Sequence, residues 1–254
     1  PWTLPGNRAI AYGTEHNYSV IEVSNGTELI ADGMRLLIAK DLIPQVTASL
    51  EISDYRVIGH FNGETLKGTI CNHPWHGLGY DFQVPMIPGE HVTTDAGTGL
   101  VHTAPGHGIE DFTVGQEFGI EVPETVQGDG TYYPHVPMFA GKHTFKIGAE
   151  IIEKLTQVKA LLKSSKLVHS YPHSWRSKTP LIYRATSQWF ISMDTNDLRQ
   201  KAMQEINNVE WFPTQGKNRI SAMVGNRPDW CLSRQRTWGV PITVFTNKNT
   251  GEIM

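Results

Sequence analysis

Asp95-Ala96-Gly97-Thr98-Gly99-Leu100-Val101-His102-Thr103-Ala104-Pro105-Gly106-His107-Gly108-Ile109-Glu110-Asp111 is the densest constellation of small residues, histidines and carboxylates in the chain. It reads as a strand, a tight loop and a helix, with small residues that let backbone approach a ligand closely. A helix opening near Gly108 puts Asp111 in its first turn, where the positive end of the helix dipole favours a negative group. A carboxylate held there suits an ammonium. His102 and His107 are five residues apart, which does not set them on one helical face, and no third ligand accompanies them, so no metal site is expected. A histidine near neutral pH is a reasonable general acid or base. A glycine-rich turn with capping residues is the plain structural alternative, and the residues alone leave both open.

Outward from this run, β-rich stretches at 18–23 and 55–59 predict strands, and Asn62-Gly63 predicts a hairpin turn after the second. Apolar Leu29, Ile30, Met34, Leu37 and Ile38 recur at helical spacing and predict a packing helix over 27–41. Ile151, Ile152, Leu155, Val158 and Leu162 predict another over 147–162. A break at 170–172 precedes a stretch richer in Trp and Arg, with strands predicted at 181–185 and 189–192. The expected division is therefore 1–172 and 173–254. Repeats and low-complexity tracts are absent from the sequence.

The 254 residues carry a net charge of −3 and suffice for one large domain or two modest ones. Composition alone does not announce a nucleic-acid binder, although 176–184 and 217–236 are locally basic, Arg234 and Arg236 included. Solvated surface is the plain reading of both. Trp175, Trp189, Trp211, Trp230 and Trp238 are expected as core or interdomain anchors before base-stacking platforms. Cys71 and Cys231 are the only cysteines and form no ligand pattern, as expected of a reducing, cytoplasmic setting. No apolar run is long enough for a bilayer and no signal-peptide pattern opens the chain, so no membrane role is expected. Pro1-Trp2-Thr3-Leu4-Pro5 without an initiator Met, and a turn-like Asn249-Thr250-Gly251-Glu252-Ile253-Met254, are what a piece of a longer protein would show.

The 95–111 segment resembles the editing motif of isoleucyl-tRNA synthetases, a Gly-Thr-Gly turn followed by Val-His-Thr-Ala-Pro-Gly-His-Gly and an aspartate. Three further stretches resemble that family in order. These are Pro1-Trp2-Thr3-Leu4-Pro5-Gly6-Asn7-Arg8-Ala9-Ile10; His173-Ser174-Trp175-Arg176-Ser177-Lys178-Thr179-Pro180 with Gln188-Trp189-Phe190-Ile191-Ser192-Met193-Asp194; and the run from Asn226-Arg227-Pro228-Asp229-Trp230 to Gly239-Val240-Pro241. The family's leading threonines would precede Pro1, leaving Thr3, and Gly6 stands where the family has alanine, a change expected to leave the chemistry alone. The synthetic signatures His-Ile-Gly-His and Lys-Met-Ser-Lys-Ser are absent. Val57-Ile58-Gly59-His60 is a decoy, since Phe61-Asn62-Gly63 follows it and predicts a hairpin, not a strand opening into a helix.

The resemblance implies a mixed α/β fold with a β-barrel-rich editing domain over 1–172, followed by a return segment toward an absent nucleotide-binding catalytic domain. It implies hydrolysis of valyl-tRNA(Ile), and of valyl-adenylate as a further substrate. Asp111, His102 and His107 would be catalytic; Asp111 holds the α-ammonium, His102 blocks the extra methylene of isoleucine, and His107 shapes the loop or positions water. Trp2, Thr3, Asn7, Thr98 and Gly99 would bind substrate. The tRNA acceptor end, the misattached valine and the parent catalytic domain are the implied partners. Hydrolysis needs no cofactor or metal, whereas ATP and Mg²⁺ belong to the absent domain. The alternatives are a catalytically impaired acceptor-end binding module and an unrelated α/β hydrolase; the latter lacks a Gly-x-Ser-x-Gly elbow here.

Overall fold

The computed structural model describes residues 1–253 apart from 167, 169, 235–238 and 240. It divides into two compact units, Pro1–Ala185 and Thr186–Met254. Trp238 and Arg236, expected above as anchor and basic contact, lie outside the described residues.

The first unit contains β1 (Ala9–Tyr12), β2 (Asn17–Asn25), β3 (Arg35–Ala39), α1 (Ile43–Ser49), β4 (Asp54–Asn62), β5 (Ile70–Asn72), β6 (Gln83–Pro88), β7 (Leu100–Thr103), α2 (Ile109–Glu117) and α3 (Gly148–Gln157). One sheet has the order β5-β6-β1-β7, with β1 parallel to β6 and antiparallel to β7; the other is the antiparallel β3-β2-β4. Mixed α/β structure built on small sheets is thus observed. No closed barrel forms among the described residues. The second sheet approaches the first through a backbone bond from Ala39 N–H to Thr98 O, 2.8 Å.

Tyr18, Ile21, Tyr12 and Ile38 bury fully in one core; the β2–β4 register shifts between Val20 and Ile21, where Ile58 is the extra residue on β4. Trp75, Tyr80, Tyr132 and Phe139 fill a second, aromatic core against Ile151 of α3. Trp75 is therefore the core tryptophan of this unit, whereas Trp175, expected as an anchor, is 75% exposed.

The strands expected at 18–23 and 55–59 fall within β2 and β4. The helix expected over 27–41 is instead the turn and second arm of a hairpin: Val23 N–H bonds Met34 O, Gly33 takes φ 79°, and Leu36, Leu37 and Ile38 join the β2 ladder. Apolar spacing there fitted either period, and glycines at 26 and 33 break a helix while permitting a turn. Asn62-Gly63 makes no hairpin; Asn62 Oδ1 accepts from Glu64 N–H and caps a short 3₁₀ turn, Gly63–Leu66. The helix expected over 147–162 stops at Gln157, with Lys159 at φ 58°. No strand forms at 181–185.

The second unit has β8 (Phe190–Ile191) paired with β9 (Trp230–Cys231), and α4 (Leu198–Asn208) beside α5 (Gln215–Gly225). The Arg199 guanidinium joins them, bonding Asp194 at 2.9 Å and the terminal carbonyls Val224 O and Gly225 O of α5 at 2.9 and 3.1 Å. A cation there answers the negative end of the helix. Trp189 and Trp230 are exposed, and Trp211 donates its indole N–H to Ile206 O at 2.9 Å.

Candidate active site

The quoted run folds as strand, loop and helix. β7 ends at Thr103; Pro105, which lacks an N–H, leaves the ladder, and His107 N–H closes a turn on Ala104 O at 2.8 Å. Gly108 caps α2, and Asp111 lies in the first helical turn, as expected. Its Oδ2 accepts the Ala104 N–H at 2.8 Å, so the carboxylate folds back onto the loop between the two histidines.

Thr3, Asn7 and His102 meet, although 95 and 99 residues separate the histidine from its two partners. Asn7 is buried, and its amide nitrogen donates to Ala9 O at 3.0 Å and to His102 Nδ1 at 2.7 Å. His102 Nδ1 is therefore an acceptor, which leaves the proton on Nε2 to donate to Thr3 Oγ1 at 3.1 Å. Burial by surrounding protein lowers the His102 pKa to about 4. One face of the ring stays exposed, and the imidazole is neutral at pH 7.

His107 lies a layer deeper. Tyr183 O can only accept, so His107 donates from Nδ1 at 2.9 Å and takes the Thr125 hydroxyl on Nε2 at 2.7 Å. Burial lowers its pKa against the opposing bond to Tyr183. Both ring nitrogens are occupied, and Trp2 packs edge-on with centroids 4.9 Å apart. A Cβ at Gly6 would stand 2.7 Å from this ring, so an alanine here would require the His107 ring to shift from the position its two hydrogen bonds hold.

The 1–8 segment is pinned by side chains that no local pattern announced. Tyr132 Oη–H donates to Trp2 O at 2.6 Å, and His73 Nε2–H to Leu4 O at 3.1 Å. Arg8 donates to Asn7 O at 2.7 Å while its guanidinium lies 4.0 Å from the Phe82 ring centroid. Thr98 and Gly99 stand just before the other end of β7, on the order of 10–13 Å along the chain from His102. Gly99 O accepts from Tyr18 Oη–H, and Thr98 borders a cleft of about 560 Å³ with Leu37, Val46 and Leu162.

A cleft of about 760 Å³ is lined by the Ile109, Thr113 and Glu117 face of α2 with His16 and Glu90. It includes none of the expected site residues. Val57-Ile58-Gly59-His60 lies inside β4, where pairing with β2 occupies the backbone; it offers no strand-to-helix cradle for a nucleotide. Among the described residues, no three His, Cys, Asp or Glu side chains gather to hold a metal.

A family profile described as tRNA synthetases class I (I, L, M and V) matches residues 6–254. The chain belongs to this family. Over its whole length it is 48% identical to the isoleucine–tRNA ligase of Pelagibacter ubique, 49% to that of Pseudoalteromonas atlantica and 46% to that of Gluconobacter oxydans. It spans only 28%, 26% and 28% of those proteins, about a quarter of their length. The solved structure described as "The crystal structure of GlLeuRS-CP1" aligns over 68% of this chain and 81% of its own at 14% identity and TM-score 0.47, a likeness too slight to carry an argument.

Proposed function

We propose that this chain hydrolyses the ester joining valine to isoleucine tRNA, as the editing part of a larger isoleucine–tRNA ligase. The observation that carries the reading is the neutral His102, clamped between Thr3 and Asn7 at the end of the strand that leads to Asp111. The whole-length similarity to isoleucine–tRNA ligases supplies the substrate class.

Valine lacks one methylene of isoleucine. That group is worth only about 1–3 kcal/mol in an apolar pocket, the known limit for this very pair of amino acids and no inference from this chain. A second pocket that excludes isoleucine by size removes the error. Asp111 holds the α-ammonium through its second carboxylate oxygen while Ala104 N–H fixes the first. His102, unable to swing between its two partners, fills the space the extra methylene would need. Water adds to the ester carbonyl, the tetrahedral oxyanion collapses, and the C–O bond to the terminal ribose breaks; the water's protons end on the ribose hydroxyl and, by way of solvent, on the medium. No covalent nucleophile enters. Trp2 and Thr3 line the pocket, His107 fixes the loop, and Thr98 and Gly99 serve substrate through the strand they begin.

On this reading 1–172 is the editing domain and 173–254 the return toward a catalytic domain that uses ATP and Mg²⁺, within a cytoplasmic enzyme; hydrolysis itself uses no cofactor. Valyl-adenylate is a second substrate of the same pocket. Valine release from valyl-tRNA(Ile), with isoleucyl-tRNA(Ile) as control, tests the proposal. Selective release that vanishes in Asp111→Ala is expected. Equal release of both amino acids would refute the size filter, and absence of release would reduce the chain to an acceptor-end binder.

A further inference from the structure

We propose that the hairpin at 172–184 docks the single-stranded 3′ end of an RNA, with Trp175 as stacking platform and Arg176, Lys178 and Arg184 as phosphate contacts. The inference rests on the RNA-substrate reading above and names the surface that would receive the strand.

Charge is the first observation. Residues 154–193 contain seven Lys and Arg and no Asp or Glu; the whole chain carries −3 and this stretch +7, leaving −10 for the rest. A chain of net charge −3 that concentrates cations in one stretch offers that stretch to a polyanion. Lys154 and Lys163 are engaged with Gln157 and Glu51. Among the described residues, Arg176, Lys178 and Arg184 enter no ion pair.

The second is shape. Leu181 N–H bonds Pro172 O, Ser174 N–H bonds Thr179 O, and Lys178 N–H bonds Ser174 O, which draws 172–181 into a hairpin with Lys178 at φ 58° in its turn. Trp175 stands on that turn, 75% exposed, with the Arg176 guanidinium 4.7 Å from its ring centroid. The cation steadies one face of the indole and leaves the other to a base, the arrangement by which single strands are held without regard to sequence. Tyr183 adds a half-exposed ring beside Arg184.

The third is attachment. The outgoing arm is bonded to the site loop at two points, Tyr183 O to His107 Nδ1–H and Ala185 N–H to Gly106 O. From Ser177 at the turn to Tyr183 the chain spans at most about 21 Å. A strand stacked at Trp175 is thereby led toward the loop that joins His102 of β7 to Asp111 of α2. An acidic protein surface would answer the charge but gives no use to a stacked indole and guanidinium.

The test is binding of a labelled, uncharged RNA minihelix with a single-stranded 3′ tail to the whole chain, by anisotropy across a salt series. Trp175→Ala is expected to weaken binding at least about fivefold with the salt dependence retained. Arg176→Gln with Lys178→Gln is expected to lower the slope of log K against log salt by about 1.4. A blunt-ended minihelix should show no Trp175 dependence. Both variants change exposed side chains of the turn, and melting confirms that they fold. RNA affinity unchanged in both, or no binding by the parent chain, would overturn the proposal. Tail-dependent binding through Trp175 in a chain that releases no valine would uphold this surface and remove the hydrolytic reading alone.

Discussion

At the start of β7, Gly99 sits at φ 75° with its missing side chain filled by a neighbour, since a Cβ there would lie 2.4 Å from that of Ala39. Its carbonyl takes the Tyr18 hydroxyl and that of Thr98 takes Ala39 N–H, so the polar groups of the turn face the other sheet. At the far end of the same strand the contacts are made by side chains: His102 with Thr3 and Asn7, Asp111 with Ala104 N–H, His107 with Thr125. One motif of small residues and histidines therefore separates into a half that sets where the strand runs and a half that holds functional groups. The glycines there answer backbone geometry; the histidines answer chemistry and packing.

The sharpest way to break this division is Asp111→Asn. The amide oxygen still accepts Ala104 N–H, so the loop keeps its bond and melting is expected to move by less than the equivalent of about 1 kcal/mol. The charge that would hold an ammonium is gone, and valine release is expected to fall at least about 100-fold, some 2.7 kcal/mol of transition-state stabilisation. Single-turnover deacylation beside a denaturant melt separates the two. Full activity in the variant would remove the ammonium role from Asp111.

Gly99→Ala attacks the opposite end. Positive φ and a 2.4 Å approach to Ala39 make alanine strained and overpacked, with an expected loss of about 2 kcal/mol of stability. Valine release per folded molecule should remain within about twofold of the parent. A variant that melts normally yet loses hydrolysis would place the turn among the chemical residues and dissolve the contrast.

How much of this was legible follows from the range of each interaction. The strand, loop and helix around 100–117 came from adjacent residues, and so did β2 and β4. The 27–41 stretch has a helical apolar spacing but forms a hairpin arm, because its pattern suits two periods and only pairing with β2 decides between them. Trp2, Thr3 and Asn7 were reached through family resemblance. That His102 bonds both Thr3 and Asn7 depends on the β1 and β7 register, which pairs Ile10 with His102. Tyr132, His73, Thr125 and Tyr183 left no signal, because each acts on a backbone group or ring through a contact that only the tertiary fold creates. Trp75 and Trp175 are the same residue type five score apart, one at 0% and one at 75% exposure, and composition does not tell them apart.

The smallest expected effect is one of pH, and it acts on the histidine end alone. Burial lowers the pKa of His73 and His102 to about 4 and that of His107 in the same direction, whereas the Tyr18 hydroxyl at the glycine end is pushed up from an already high value. Below about pH 6.5 the unfolded chain binds protons that the native imidazoles refuse, so stability is complete above that value and is lost as pH falls toward 4. His102 keeps a solvated face and His107 is near Asp111, which leaves His73, 2% exposed, as the clearest contributor. Its share between pH 7 and 5.5 is about 1 kcal/mol. Denaturant midpoints across that range are expected to fall in the parent, and to fall less in His73→Asn, whatever the variant's stability at pH 7. An identical slope in both would mean that His73 titrates normally in the native state, so that its bonds to Leu4 O and Trp75 N–H do not hold the Pro1–Asn7 segment as rigidly as the pocket requires.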